Sequence, residues 1–169
     1  MVKKILLVLI VLPFLVLFFM PKKELYYLLE RQLGAQGIVI GDGKVDESPI
    51  GLTVEHPALY YKGIKIATAK KISLWSLLLY TQGSIEGVRF DPSVQSYLPK
   101  EIESATLTHH VINPIHLPVA ITGKTLTGDG DVDLKMRTLK FLFTHVPKQS
   151  AMTRYMKQTK GGWIYEQRF

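Results

Sequence analysis

The sequence predicts a mainly β protein in which an amino-terminal transmembrane helix precedes an antiparallel, glycine-punctuated β-sheet domain with one or two short helices. Three observations support this fold class. The chain opens with one long apolar run, apolar and polar residues alternate from residue 38 onward, and Gly or Pro separates most of the alternating stretches. A period of two is typical of strands with one buried face, and Gly and Pro mark the turns between them.

The apolar run covers residues 5–20, sixteen positions without a polar side chain. At about 1.5 Å per residue, a helix over residues 1–21 would extend about 31 Å, close to the hydrocarbon thickness of a bilayer. Lysine pairs flank the run, where their ammonium groups can reach the two interfaces. We therefore predict a membrane anchor over residues 1–23 and a β-rich domain over residues 24–169. The predicted membrane-spanning residues include Ile5, Leu9, Pro13, Phe14 and Met20.

The residues at the end of the apolar run distinguish a membrane anchor from a cleaved signal peptide. A signal peptide has small residues at its cleavage site, and residues 17–23 contain none. The sequence therefore predicts an uncleaved signal anchor. Two lysines lie on each flank, but the amino terminus adds positive charge beside the first pair, whereas Glu24 offsets the second pair. The positive-inside rule therefore gives a small bias toward a cytoplasmic amino terminus, which places the bulk of the chain outside the cytoplasm. The absence of cysteine is compatible with that location.

The net charge of +7 lies entirely in the last 36 residues. Residues 1–133 hold thirteen basic and thirteen acidic side chains, whereas residues 134–169 hold eight basic side chains and Glu166 alone. Such a basic end suits anionic lipid headgroups or an acidic partner, and it equally suits an ordinary solvated surface. Nucleic acid is not expected, because no docking motif surrounds the basic residues. The predicted anionic-surface contacts are Lys148, Arg154, Lys157 and Lys160.

The chain after the anchor begins with a predicted helix over residues 24–33, where leucines recur at helical spacing before Gly34. From Ile38 the period changes to two, which predicts strands. Residues 75–80 are denser and less periodic, and we predict a helical turn there. Residues 91–103 contain two prolines and form the predicted loop. The strands before this loop are predicted at 38–40, 50–55, 59–61, 64–68, 72–74 and 85–90.

The second half of the domain alternates more regularly. Pro114 and Pro118 should lie at bends or edges, because proline cannot donate to a strand ladder. Residues 148–160 predict a basic helix, and residues 163–169 predict a closing strand. The four successive strands between the loop and this helix are predicted at 105–111, 115–122, 125–134 and 136–143.

The densest apolar cluster outside the anchor lies in residues 75–80, Trp-Ser-Leu-Leu-Leu-Tyr. Trp75, Leu78 and Tyr80 are the predicted apolar contacts. One interpretation is that they line a lipid groove or contact a partner helix. The other, which the sequence favours, is that they pack in the core beneath a sheet.

No metal, cofactor or catalytic site is predicted. Asp129, Asp131 and Asp133 have the spacing of a calcium loop, but Leu134 and Lys140 occupy the positions where that loop requires Gly and Glu. In a strand, the same spacing places the three carboxylates on one solvent face.

The histidines are also poor candidates. His109 and His110 are neighbours in a predicted strand and point to opposite faces, and no cysteine joins them or His116 as a ligand. No serine lies in a nucleophile-elbow context, and no phosphate-binding glycine loop is present. The sequence therefore gives no indication of an enzyme.

Glycine-punctuated strands recur at residues 49–54 (Pro-Ile-Gly-Leu-Thr-Val), 84–90 (Ser-Ile-Glu-Gly-Val-Arg-Phe) and 126–134 (Leu-Thr-Gly-Asp-Gly-Asp-Val-Asp-Leu). Shorter stretches at 63–66, 71–74 and 137–139 have the same rhythm. Together with the anchor and the short helix, these stretches resemble the type II secretion system protein N family. They are similar, more loosely, to the AsmA-like proteins of Gram-negative envelopes.

The resemblance implies a non-enzymatic, single-pass inner-membrane protein with a periplasmic β domain, accessory to a type II-like secretion or envelope complex. Its partners would be other inner-membrane or secretion-complex proteins. The AsmA-like similarity implies an alternative, a module that binds or transfers phospholipid. The two functions predict different structures. A lipid carrier should leave an apolar sheet face uncovered by any helix, whereas an assembly protein should have a filled core and a polar sheet surface.

Overall fold

The structure, a computed structural model, describes residues 22–41, 43–77, 79–146 and 151–169. These residues form one α-helix, thirteen strands and a short 3-10 helix. The elements in chain order are α1 (Lys22–Ala35), β1 (Ile38–Gly41), β2 (Lys44–Ser48), β3 (Gly51–Glu55), β4 (Ala58–Tyr61), β5 (Ile64–Thr68), β6 (Lys71–Leu77), β7 (Tyr80–Phe90), β8 (Glu101–His110), β9 (His116–Thr122), β10 (Thr127–Asp133), β11 (Thr138–His145), the 3-10 helix (Ala151–Tyr155), β12 (Lys157–Thr159) and β13 (Gly162–Arg168).

All thirteen strands belong to one antiparallel sheet. The long strand β7 pairs with β8 on one side and with both β6 and β5 on the other. Beyond β8 the order is β9, β10, β11, β13 and β12, so chain neighbours are sheet neighbours until the last two strands. The mainly antiparallel β domain predicted from the two-residue period is confirmed.

The chain bends between β3 and β4 and again between β5 and β6, so that each of these two couples forms one bent strand; β1 and β2 pair with β4 and β3 in a single register. The register is the same on both sides of the bend, since Val54 pairs with Val45 and Ile72 while Ala58 pairs with Gly41 and Thr68. At the bend itself the His56 N–H donates to the carbonyl oxygen of Lys70 at 2.9 Å. The ladder therefore continues through the bend, and the first half of the sheet changes direction without ending.

The structure confirms most of the helices and strands predicted from the sequence. The helix, the four later strands and the closing strand are present, with ends shifted by up to four residues. Pro114 lies in the β8–β9 connection, as predicted, whereas Pro118 lies inside β9 and pairs with Asp131 of β10. The β8–β9 ladder ends at the pair Leu107–Val119, so the missing N–H of Pro118 falls where no ladder bond to β8 is made.

Two predictions were wrong. The described residues of 75–80 do not form the predicted helical turn, because Trp75 pairs with Gln82 and Leu77 pairs with Tyr80 in the β6–β7 hairpin. The apolar run has good helix formers, but six residues are too few for a stable helix when neighbouring strands can pair with them. The predicted basic helix at 148–160 is, in its described part, a 3-10 helix followed by β12, which pairs with β13.

Cross-strand partners point to the same side of the sheet and successive residues to opposite sides. From β3 to β10, this gives one apolar face and one polar face, and the polar face continues into Leu142 and Ile164 on β11 and β13. We define the apolar face by two adjacent rows of cross-strand partners. One row is Val54, Ile72, Ile85, Ala105, Ile121, Gly128, Phe143 and Trp163, and the other is Leu52, Leu74, Gly83, Leu107, Val119, Gly130, Phe141 and Tyr165. The polar face includes Thr53, Ser73, Ser84, Thr106 and Asp129.

Candidate functional site

The centre of the apolar face is open. Leu74, Ile85 and Leu107, on the neighbouring strands β6, β7 and β8, are 36–38% exposed. Between them lies Gly83, where an added β-carbon would have no heavy atom within 4 Å. Among the described residues, nothing therefore fills the space above Gly83. We call these four residues the open centre.

The two flanks of the same face are covered. On one flank, α1 lies against β1, β2 and β3, and both Leu52 and Val54 of β3 are buried. On the other flank, Leu126 and Phe143 are buried beside β10 and β11. The apolar face is thus covered at its two ends and exposed between them.

Two glycines on β10 shape the second flank. A β-carbon on Gly128 would lie 2.7 Å from Cδ1 of Phe143, and one on Gly130 would lie 2.6 Å from Cε1 of Phe141. Both rings therefore rest directly on the glycine backbone, and they stack on each other with centroids 5.6 Å apart at an interplanar angle of 18°. The alternation of Gly and Asp in residues 128–131 makes a flat aromatic floor on one face and a carboxylate row on the other.

A cleft of ≈ 730 Å³ stands on this aromatic floor. Its walls come from two segments that leave the same end of the sheet, the loop 91–100 and the residues around the 3-10 helix. The Ala151 N–H donates to the carbonyl oxygen of Ser96 at 3.4 Å and joins the two walls. The residues that line the cleft are Tyr97, Leu98, Met152, Tyr155 and Met156 on the walls, Phe141, Phe143 and Tyr165 on the floor, and Glu166 and Gln167 at the sheet edge.

The loop wall of this cleft is held in shape at its first residue. The Asp91 carboxylate accepts a hydrogen bond from the Ser93 backbone N–H at 3.0 Å, and the Asp91 N–H donates to the carbonyl oxygen of Ile66. The bond from the Ser93 backbone, followed by the Ser93 side chain and the charge of Lys65, lowers the pKa of Asp91. The Gln95 side-chain amide also donates to the carbonyl oxygen of Phe90 at 2.8 Å.

The predicted apolar contacts lie apart from this face. Trp75 and Tyr80 contact each other edge to face, with ring centroids 5.4 Å apart, and Tyr80 contacts His110 at 4.9 Å. Their register places all three rings on the polar face, and Trp75 is exposed, so this cluster is not core packing beneath the sheet. Leu78 lies outside the described residues.

The predicted anionic-surface contacts are distributed over three short elements. Arg154 lies in the 3-10 helix, Lys157 begins β12, and Lys160 lies in the β12–β13 turn; all three are exposed. Within the described part of the chain, none of these three forms an ion pair. Lys148 lies outside that part. A joint role in binding an anionic surface stays a prediction.

The predicted membrane-spanning residues Ile5, Leu9, Pro13, Phe14 and Met20 all lie outside the described residues. Of the helices that are described, none is long and apolar enough to cross a membrane.

One polar cluster combines residues that the sequence analysis treated separately. His116 of β9 contacts Asp131 of β10 through Nδ1 at 2.9 Å, and its Nε2 lies 3.9 Å from Asp133. The hydrogen bond to Asp131, followed by the charges of Asp131 and Asp133, raises the pKa of His116. Among the described side chains, no group of three or more His, Cys, Asp or Glu is arranged to hold a metal ion.

The open centre was not predicted from the sequence, because the periodicity of a single strand does not show which residues of three strands lie side by side. The signal was present in the alternation of β6, β7 and β8, but combining the three strands requires their register. No protein-family model, curated protein or solved structure matches this chain.

Proposed function

We propose that this protein binds an acyl chain of a membrane lipid along the open centre of its apolar face. The observation that carries the proposal is the exposure of Leu74, Ile85 and Leu107 in the middle of two apolar rows whose flanks are covered. Contiguous exposed apolar surface of this kind marks a binding surface in water-facing proteins. Burying six methylene groups of a lipid there would recover about 5 kcal/mol before the cost of ordering the chain.

The chemistry of the face favours an acyl chain over a polar ligand. From β3 to β13 the two rows contain no charged side chain, and Tyr165 supplies their only hydroxyl. The cleft continues the same face over Phe141 and Phe143, and its volume lies in the range of about 300–1,000 Å³ that is typical of small-ligand sites. An uncovered apolar face is also the feature that distinguishes a lipid carrier from an assembly protein with a filled core.

Photocrosslinking in membranes tests this proposal with adjacent residues. A photoreactive amino acid is introduced into the full chain at Leu107, on the apolar face, or at Thr106, on the polar face. After illumination, mass spectrometry of the purified protein measures covalently attached lipid. We expect a lipid adduct at position 107 and little or none at position 106. Equal capture at the two positions would contradict the proposal.

A second variant tests whether the open centre itself holds the lipid. Gly83→Phe should fill the space above Gly83 and lower capture at position 107 by about tenfold, equivalent to about 1.4 kcal/mol of lost binding. Gly161→Phe is the matched control, because a β-carbon at Gly161 also has nothing within 4 Å and this residue lies in the β12–β13 turn. Undiminished capture in the Gly83 variant would place the lipid elsewhere.

The accessory role in a secretion or envelope complex, implied by the resemblance, stays a prediction. The same experiment addresses it, because a protein adduct at Thr106 without a lipid adduct at Leu107 would favour a sheet surface that contacts other proteins.

A further inference from the structure

The turns at one end of the sheet expose apolar side chains. In an antiparallel meander alternate turns share an end, and here the β2–β3, β6–β7, β8–β9 and β10–β11 connections lie together. Ile112, at the tip of the third connection, is 87% exposed. We call these exposed side chains the apolar rim: Ile50, Leu77, Leu79, Ile112, Leu134 and Met136.

Backbone hydrogen bonds join the turns of the apolar rim into one continuous border. The Ser76 N–H donates to Ile50 O at 2.8 Å, and the Val111 N–H donates to Leu79 O at 3.0 Å. Further along, the Leu134 N–H donates to Ile115 O at 2.9 Å. At about 4.8 Å between neighbouring strands, the rim from β3 to β11 extends about 30 Å. Such a length of aligned apolar turns presents one surface to a partner.

Three tight turns at the opposite end of the sheet have lysine at their centre, in contrast to the aliphatic turns of the apolar rim. The central residues there are Lys62-Gly63 between β4 and β5, Lys124-Thr125 between β9 and β10, and Lys160-Gly161 between β12 and β13. The turns at both ends have the same task, since each connects two neighbouring antiparallel strands. Among the described residues, the rim carries six exposed apolar side chains at its turns, whereas the three lysine-centred turns are flanked by two, Tyr61 and Ile64.

Cationic residues alternate with apolar ones at one turn of the rim, the connection between β10 and β11. The β10–β11 turn is Leu134-Lys135-Met136-Arg137, and all four residues are exposed. The Phe169 N–H donates to Arg137 O at 3.0 Å and brings Arg168 and Phe169 to the same border. Within the described residues, neither Lys135, Arg137 nor Arg168 forms an ion pair. Aliphatic groups between unpaired cations suit the boundary between acyl chains and anionic headgroups.

From these observations we infer that the apolar rim inserts into the interface of an anionic lipid bilayer. The aliphatic side chains enter the acyl boundary, and Lys135, Arg137 and Arg168 contact the headgroup phosphates. Trp75 and Tyr80, which lie just behind the β6–β7 turn, suit the headgroup layer, where aromatic residues with polar atoms are enriched. This inference does not depend on lipid capture by the open centre.

Site-specific probes in the full chain test the inference, and the absence of native cysteine makes each labelled position unique. The full chain is reconstituted in nanodiscs of phosphatidylcholine alone or of an equal mixture with phosphatidylglycerol. A fluorophore on Ile112→Cys or Met136→Cys reports the rim, and one on Lys124→Cys reports the opposite end. A quencher within the acyl region should quench the rim probes several-fold more than the probe at position 124. Equal quenching at both ends would overturn the inference.

The charge contribution is tested by Lys135→Gln with Arg137→Asn, since Asn accepts the positive φ of 52° at position 137. This double variant should lower rim quenching several-fold in the anionic nanodiscs and leave it unchanged in the neutral ones. Shielding of Ile112→Cys from an aqueous quencher, without access for the acyl quencher, would instead identify a protein partner and reject a bilayer. The Gly83→Phe variant should retain rim quenching, so that failure of the lipid-capture proposal and failure of this inference are separate results.

Discussion

The covered flanks and the open centre of the apolar face are built from the same kinds of residues. Leu52 and Leu74 are cross-strand partners on that face, yet Leu52 is 4% exposed and Leu74 is 38% exposed. The alternation of each strand determines which face a side chain joins. What lies above that face determines whether the side chain is buried, and here that is α1 on one flank and the cleft walls on the other.

The glycines of the apolar face show the same contrast. Gly128 is pressed against the neighbouring strand, because a β-carbon there would lie 2.6 Å from the carbonyl oxygen of Leu142. Gly83 has no such neighbour. Identical residues in strand interiors therefore serve close packing at one site and leave open space at the other.

The largest expected effect comes from truncating the two paired leucines. Leu52→Ala should lower the free energy of unfolding by about 2–5 kcal/mol, because it leaves a cavity beneath the covered flank. Leu74→Ala should cost about 1 kcal/mol, since its side chain already contacts solvent. Urea unfolding of the full chain in one detergent, followed by tryptophan fluorescence, measures both. Equal losses would show that the open centre is as well packed as the flank.

Substituting the two glycines should change the free energy of unfolding by intermediate amounts of opposite sign, a loss at Gly128 and a gain at Gly83. Gly128→Ala should cost about 1–3 kcal/mol, because the added methyl group forces the strands or the Phe143 ring to move. Gly83→Ala should stabilise the protein by about 0.5–1 kcal/mol, since it lowers the entropy lost by a strand residue and meets no neighbour. The same unfolding measurement serves both variants. A destabilised Gly83→Ala protein would mean that this space is occupied.

Sequence reasoning predicted the strands well and the long-range arrangement poorly. Alternation in residues 105–143 placed four strands, because a two-residue period needs only local information. The helical turn predicted at 75–80 was wrong because the leucine run has local helix propensity, whereas the pairing of Trp75 with Gln82 depends on a second strand. The cleft was missed for the same reason, since Ser96 and Ala151 meet only after the sheet has formed.

The polar face gives the smallest expected effect and completes the comparison. His116 and Asp131 are both partly exposed, so solvent weakens their attraction. The hydrogen bond to Asp131 raises the pKa of His116 above its ordinary value of 6.5, and the partial desolvation of the imidazole opposes that shift. A group whose pKa is higher in the folded state stabilises the protein fully at pH values below its unfolded pKa. That contribution is lost as the pH rises through the folded pKa.

Nuclear magnetic resonance of the imidazole signals against pH tests this prediction. We expect His116 in the intact chain to titrate at a higher pH than in the Asp131→Asn variant, which loses the charged acceptor. Asp129→Asn is the control, because Asp129 lies on the same face of β10, has Ala120 as its cross-strand partner and forms no ion pair with His116 among the described residues. The stability of the Asp131→Asn variant should approach that of the intact chain as the pH rises above the folded pKa of His116. Unchanged titration in the Asp131 variant would mean that the carboxylate does not hold the imidazole in solution, and the polar face would then contribute no pH-dependent stability through this pair.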